Sequence, residues 1–292
     1  MTSSQEKSDL TLGIVGVGLI GGSIGLAHKD AKTFDRVLGV GRSQANLDEA
    51  LRIGAIDEIV GLEDCAKRAD VIVVCVPVAQ TFSVLHAMEP YIKTNALITD
   101  AGSTKSDVIM AAKTALGDKV AQFIPAHPIA GGAQHGASSA KSNLYEGKEV
   151  ILCPLQENIP PAVQAVDDFW ATTGAKTYRM SALQHDAVFA SISHLPHILS
   201  FALMLQVANS EDASVKLGHA GAGFRDFTRI AASSPEMWRD ICLANKSAVL
   251  KEMDSYLHLT KILRDLIAKE DGDALLKAFT RASVERQKWE DR

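Results

Sequence analysis

Short apolar runs alternate with amphipathic stretches through the first half of the chain. TLGIVGVG (11–18), RVLGVG (36–41), DVIVVCVP (70–77), NALITDAG (95–102), VAQFIPAHP (120–128) and KEVILCP (148–154) are rich in Val, Ile and Leu, as strands buried on both faces are. AKTYRM (175–180) is a candidate last strand. Between them, SQANLDEALRIGA (43–55) and STKSDVIMAAKTALG (103–117) place apolar residues three and four apart, which predicts helices. Strands alternating with helices predict βαβ units and an α/β domain with a mainly parallel sheet.

The pattern changes near residues 178–181. Long helical stretches follow, at 182–210, 234–270 and 273–289. Ser234 and Pro235 make a helix start, because serine caps free amides and proline suits the first helical position. The expected organisation is a dinucleotide-binding domain over 1–179 and an all-α domain over 180–292. Helices with such wide apolar faces are expected to pack against one another and against a second subunit.

Composition narrows the class. The 292 residues are 47% hydrophobic and 22% charged, as in ordinary globular proteins. A formal net charge of −5 gives no sign of a nucleic-acid-binding surface. The opening MTSSQEKSDL lacks the apolar core of a signal peptide, and the run Val71–Val78 is too short to span a bilayer. Cys65, Cys75, Cys153 and Cys242 lie far apart in mostly apolar surroundings. Reduced thiols and a cytoplasmic location are therefore expected, rather than zinc or a disulfide framework.

GIVGVGLIGGS supplies Gly16, Gly18 and Gly21 in GxGxxG spacing, directly after the first strand and opening a helix. The first glycine suits a tight turn, the second lets a pyrophosphate approach the backbone, and the third lets helix and strand pack closely. Leu19 and Ile20 then sit at a helix N-terminus, where free amides favour phosphate. At the end of the second strand, where an acidic residue would hold ribose hydroxyls, the chain has Gly41, Arg42 and Ser43. Loss of the acid and gain of a guanidinium favour NADP over NAD.

Ligands in open α/β sheets bind beyond the carboxyl ends of strands. Three such ends carry polar or reactive groups: Cys75-Val76-Pro77, Asp100–Ser106 and AHPIAGG (126–132). His127 there can accept a hydroxyl proton while hydride leaves the same carbon, with Ser103 on a neighbouring strand end within reach. His194 and His197, with Pro196 between them, are costly inside an apolar helix unless they face a cavity or have partners. No acidic or thiol ligand stands near them, so no metal is expected. GAGFRDFTRIA (221–231) holds Arg225, Asp226 and Arg229; one arginine is expected to pair with Asp226 and the other to clamp a substrate carboxylate.

GIVGVGLIGGS, DAGSTKSDV, HPIAGG, NLYEGKEVILCP, HDAVFASISHLPH and GFRDFTRIAASSPEMWRDI occur in order between about residues 10 and 250. Together they resemble the prephenate and arogenate dehydrogenases of tyrosine biosynthesis. The resemblance implies a homodimer of Rossmann and helical dimerisation domains that oxidatively decarboxylates a cyclohexadienol with NAD or NADP. It further implies that His127 takes the ring-hydroxyl proton, Ser103 holds that histidine and the hydroxyl, and Arg229 binds a substrate carboxylate. His197 and His194 would line the pocket, His197 the more closely, with Trp238 and Asp226 shaping or bracing it. One departure concerns side-chain discrimination: many prephenate-using relatives follow HPIAG with a polar-plus-acidic pair, whereas this chain has Gly132, Ala133 and Gln134. No chorismate mutase segment precedes the motifs and the stretch after about residue 270 is short and helical, so any tyrosine feedback is expected at the active site itself.

Other classes fit less well. A 3-hydroxyacid or imine dehydrogenase needs a lysine-centred catalytic helix, where this chain has SHLPH; no tyrosine has a lysine four residues later, against a Tyr-x-x-x-Lys reductase. A non-catalytic dinucleotide sensor needs only the glycine loop and leaves His127, His197 and Arg229 without a role. The sequence leaves prephenate and arogenate both open as substrate.

Overall fold

The computed structural model describes residues 9–131 and 135–290. Six parallel strands form the main sheet: β1 (Thr11–Val15), β2 (Arg36–Val40), β3 (Glu58–Ile59), β4 (Val71–Val74), β5 (Leu97–Asp100) and β6 (Phe123–Ile124). Their spatial order is β3-β2-β1-β4-β5-β6, so the winding reverses between β1 and β4 and opens a crevice at their carboxyl ends. Helices α1 (Leu19–Asp30), α2 (Gln44–Arg52), α3 (Leu62–Arg68), α4 (Thr81–Met88) and α5 (Ser106–Leu116) connect the strands. Alternate residues of β1 feed two cores on opposite faces, Leu12 and Ile14 on one and Val15 on the other. This is why the strands read as continuous apolar runs.

The run VAQFIPAHP, expected as one strand, is two. Pro125 cannot donate to a sheet ladder, and the chain leaves the main sheet there. Beyond it, β7 (Ala126–Pro128) pairs antiparallel with β8 (Glu149–Leu152), and β8 pairs parallel with β9 (Lys176–Arg179) in a second, three-stranded sheet. The two-residue β3 carries too little pattern to read from sequence.

Helix α6 (Pro160–Thr172) is followed by α7 (Ala182–Phe189), α8 (Leu195–Ala208), α9 (Ala213–Gly218), α10 (Ala222–Thr228) and α11 (Pro235–Ala244). The stretch expected as one helix from 182 is interrupted by a wide π turn over Ala190–His194. Pro196 lies in the first turn of α8, and the wide turn spares its ring the carbonyl clash of a regular helix. Ser234 caps α11 by accepting from the Met237 amide at 3.3 Å.

By compactness the chain parts between Asn245 and Lys246. The physical reason is that α7 and its neighbours send polar side chains into the strand ends of the α/β sheets. The second unit holds α12 (Lys246–Ala268) and α13 (Gly272–Glu290), so the helix expected to run from 234 to 270 is two. These helices expose Leu257, Ile267, Leu276, Phe279 and Trp289.

Residues Ala182–Ala208 make a 27-residue helical stretch long and apolar enough to cross a membrane. The stretch nevertheless contains His185, Asp186 and His194, all buried within the first unit and hydrogen-bonded there.

The core also buries a histidine. His28 stacks on Phe169 at 4.2 Å and meets Phe34 edge-on, with no hydrogen-bond partner at either ring nitrogen. Burial lowers its pKa to about 3. The unfolded chain takes up a proton near pH 6.5 that the folded chain refuses, so stability is full above that pH and lost as pH falls from 6.5 towards 3. The loss is about 1.4 kcal/mol per pH unit. A His28→Leu variant should therefore lose less of its melting temperature between pH 7 and pH 5 than the unmodified protein. An equal loss in both would remove His28 as the source.

Candidate active site

The glycine loop has three distinct local geometries. Gly16 has φ +98° and donates its amide to Val40 O at 2.8 Å, joining the ends of β1 and β2. A Cβ there would meet Cys75 O at 2.4 Å. A Cβ on Gly21 would meet Gly16 O at 2.3 Å, so only glycine lets α1 sit this close to the loop. A Cβ on Gly18, at the N-terminus of α1, would enter open space. Contact therefore requires glycine at 16 and 21, whereas Gly18 bares its backbone towards a cavity.

That cavity, of about 560 Å³, is lined by Gly16, Gly18, Arg42, Ser43, Val76 and Pro77 among others. Leu19 and Gly21 do not line it, and Ile20 lines a second cavity instead. Arg42 is exposed and has no ion pair among the described residues. Ser43 caps α2, accepting from the Asn46 amide at 3.3 Å, which leaves its hydroxyl hydrogen available. Asn46, which no sequence signal marked, also lines the cavity and accepts from the Ala137 amide at 2.8 Å. The groups present fit a dinucleotide: an amide-lined helix start for phosphates and a cation with a hydroxyl at the end of β2.

The second cavity, about 290 Å³, shares Cys75, Val76 and Pro77 with the first and extends past the end of β5 to Ser103. Asp100, at that strand end, is buried. It accepts from the Gly102 and Ala126 amides at 2.8 and 2.9 Å and pairs with the buried Lys105. One carboxylate thus ties β5 to the strand that carries His127.

His127, on β7, is half-buried. Its Nδ1 lies 2.8 Å from His185 Nε2, and His185 Nδ1 lies 2.8 Å from Asp186 Oδ1. No hydrogen bond joins His127 to Ser103, contrary to expectation: His185 occupies the Nδ1 position, because β7 sits in the second sheet against α7. Asp186 also accepts from the Lys105 and Ser106 amides, each at 2.9 Å. Burial opposes its ionisation, but hydrogen bonds from His185, Ser106 and Lys105 outweigh that and hold the carboxyl at about 2. A carboxylate accepts only, so His185 Nδ1 donates to it and His185 Nε2 offers a lone pair to His127 Nδ1–H. His127 Nε2 is then an unprotonated acceptor with no partner among the described residues. Burial first, and then the positive sides of His185 and Lys105, push the His127 pKa well below the usual histidine value. His185 and Asp186 lay within the quoted HDAVF motif, but sequence gave no reason to single them out.

The other expected residues divide. His194 is buried with Nδ1 3.2 Å from Asn245 Nδ2, and lines no described cavity; burial lowers its pKa to about 4. Asn245 Nδ2 also donates to Asp186 O at 2.8 Å, so Asn245 links His194 to the backbone of Asp186. His197 is half-buried and donates Nδ1–H to Ser193 O at 2.9 Å, which leaves Nε2 as an acceptor. It stacks on Trp238 at 3.6 Å, so Trp238 orients this ring. Burial lowers the His197 pKa, and Arg229, exposed beside an apolar groove with Phe201 and Met204, adds to that lowering. The expected pairing of Asp226 with an arginine is absent among the described ion pairs. Arg225 and Asp226 are adjacent on α10, and adjacent helical positions point apart. Gly132 and Gln134 lie outside the described residues. Among the described residues, no three His, Cys, Asp or Glu side chains are grouped to hold a metal.

Residues 24–179 match the family described as prephenate dehydrogenase, nucleotide-binding domain, and residues 181–281 match prephenate dehydrogenase, dimerization domain. A prephenate dehydrogenase of Bacillus subtilis is 38% identical over 93% of this chain and 74% of its own length. A cyclohexadienyl dehydrogenase of Zymomonas mobilis is 34% identical, covering 94% of each. Among solved structures, the prephenate dehydrogenase of Aquifex aeolicus in complex with hydroxyphenyl propionate and NAD+ superposes with a TM-score of 0.90. It shares 31% identity over 97% of this chain and 99% of that one. With its nucleotide cavity and buried histidine relay, the chain belongs to the prephenate dehydrogenase family of oxidoreductases.

Proposed function

We propose that this protein catalyses the NAD(P)-dependent oxidative decarboxylation of prephenate to 4-hydroxyphenylpyruvate. The observation that carries it is the His127–His185–Asp186 chain, in which His127 Nε2 is an acceptor with no partner among the described residues. The substrate carries a ring hydroxyl and, para to it, a ring carboxylate. A bound nicotinamide dinucleotide supplies the hydride acceptor. His127 Nε2 takes the hydroxyl proton as the carbinol carbon is oxidised. The electron pair of the breaking C–CO2 bond enters the ring, which becomes aromatic. His185 receives the Nδ1–H of the resulting imidazolium, and Asp186 holds His185 in the tautomer that can accept it. Ser103 faces the cavity and binds the substrate hydroxyl, while His197 Nε2 and Arg229 contact substrate carboxylates, Arg229 in its own or a partner's site.

A second substrate, arogenate, is favoured by the likeness to the solved arogenate dehydrogenase of Synechocystis, 28% identical with a TM-score of 0.80. Reduced-nicotinamide formation with prephenate or arogenate crossed against NAD and NADP tests both. No turnover in any combination, despite cofactor binding, overturns the dehydrogenase reading in favour of a sensor.

NADP is the preferred cofactor in this proposal, with NAD also accepted, because the Arg42 guanidinium has no ion pair among the described residues and Ser43 has a hydroxyl hydrogen to give. An Arg42→Ala variant should bind NADP+ about tenfold more weakly and NAD+ nearly unchanged, as loss of one charge-assisted contact implies. Equal weakening of both would assign Arg42 to the shared part of the nucleotide. A cytoplasmic homodimer assembled through the C-terminal helices completes the proposal, and the apolar side chains exposed on α12 and α13 support it.

A further inference from the structure

Asp240 has no part in the chemistry above, yet it lines the second cavity. It stands on α11 with its side chain 14% exposed, and its Oδ1 is held by Arg239 at 2.7 Å. Oδ2 has no hydrogen-bond partner among the described residues. Around it the walls are apolar, from Ile20, Val76, Pro77 and Ile241, with Ser103 across the cavity. The second oxygen is not sealed from solvent, so a ligand that enters the cavity can reach it.

The cavity's position says what that is. It continues from the nucleotide cavity through Cys75, Val76 and Pro77, on the side away from Arg42 and Ser43. A dinucleotide with its adenosine ribose at Arg42 and its phosphates at Gly18 puts its other base here. We propose that Asp240 receives the nicotinamide end. Its Oδ2 accepts an N–H of the carboxamide, and its negative charge favours the oxidised, cationic ring over the reduced, neutral one. Arg239, bound to Oδ1 through Nε and Nη2, offsets part of this charge, so the effect on redox state is smaller than the effect of the carboxamide contact. The charge at Asp240 would thus help to hold the cofactor before oxidation of the substrate and to release it afterwards. This assignment rests on the dinucleotide reading of the site and not on the identity of the substrate.

Isothermal titration of NAD+, NADH and ADP-ribose against the full chain and Asp240→Asn tests it, with the 2′-phosphorylated set run alongside. Asparagine keeps the size of the side chain, and ADP-ribose, which lacks nicotinamide, reports whether the nucleotide cavity is intact. The expected result is NAD+ weakened about tenfold, NADH by a smaller factor and ADP-ribose unchanged. Unchanged NAD+ affinity, or an equal fall for NAD+ and ADP-ribose, overturns the role of Asp240. Equal falls for NAD+ and NADH overturn its discrimination between redox states. If the unmodified protein binds none of these ligands, the dinucleotide reading falls with it. Binding as expected but no turnover of prephenate or arogenate removes only the substrate assignment.

Discussion

His127→Asn should lower kcat/KM by about 10³ while leaving the affinity for the dinucleotide within about twofold. Removal of a positioned general base typically costs 10²- to 10⁴-fold, and His127 lines neither described cavity. The pH profile gives a second reading. The active form is the neutral imidazole, so activity rises as pH increases through the pKa of His127. Burial, His185 and Lys105 lower that pKa, which places the acid limb of kcat/KM below pH 6.5 rather than above it. In His127→Asn the residual rate should lose this limb. A profile that keeps it would assign the limb to another group, and near-normal turnover would remove His127 from the chemistry.

The second large effect is expected at Asp186, which never meets the substrate. Asp186→Asn replaces one accepting oxygen by an amide that can only donate. The His185 Nδ1–H and the Lys105 and Ser106 amides then compete for a single acceptor. Two consequences follow and can be measured apart. The relay loses its fixed tautomer, which should lower kcat by about 10² or more with KM little changed, as in other carboxylate–histidine pairs. A buried amide also loses its partner, so thermal or urea unfolding should show a loss of about 2 kcal/mol. Stability and kcat falling while the acid limb of the rate profile stays put would reduce Asp186 to a structural role. A shifted limb supports the relay.

The acid stability of this region has the same sign as its activity. The Asp186 carboxyl titrates lower in the folded chain, at about 2. Its contribution is therefore present above the unfolded carboxylate range near pH 4 and is lost as pH falls from 4 to 2.

Several elements were legible from local pattern because local forces make them. The buried strands β1, β4 and β5 read as apolar runs since both faces are covered. The glycine loop read as a turn because Gly16 needs a positive φ and Gly21 touches backbone. The Ser234-Pro235 start of α11 also follows from short-range physics, a hydroxyl satisfying a free amide. His127 could be placed at a strand end by the same means. Its partner could not: His185 lies 58 residues away, and nothing in the spacing of HDAVF says which strand end it meets.

The sequence by itself determined an α/β half followed by helices, a dinucleotide loop and the strand-end position of His127, all set by periodicity and backbone stereochemistry within short windows. Only the tertiary structure decided that Pro125 turns β7 into a second sheet, and that His185 rather than Ser103 bonds to His127. It also decided that His194 meets Asn245 while His197 stacks on Trp238, and that Asp240 faces a cavity. Each of these depends on groups far apart in sequence meeting in a space from which water is excluded. There a hydrogen bond must be made or its absence carried at a cost of about 1–3 kcal/mol. That penalty selects one arrangement of buried polar groups, and no local pattern in the chain encodes it.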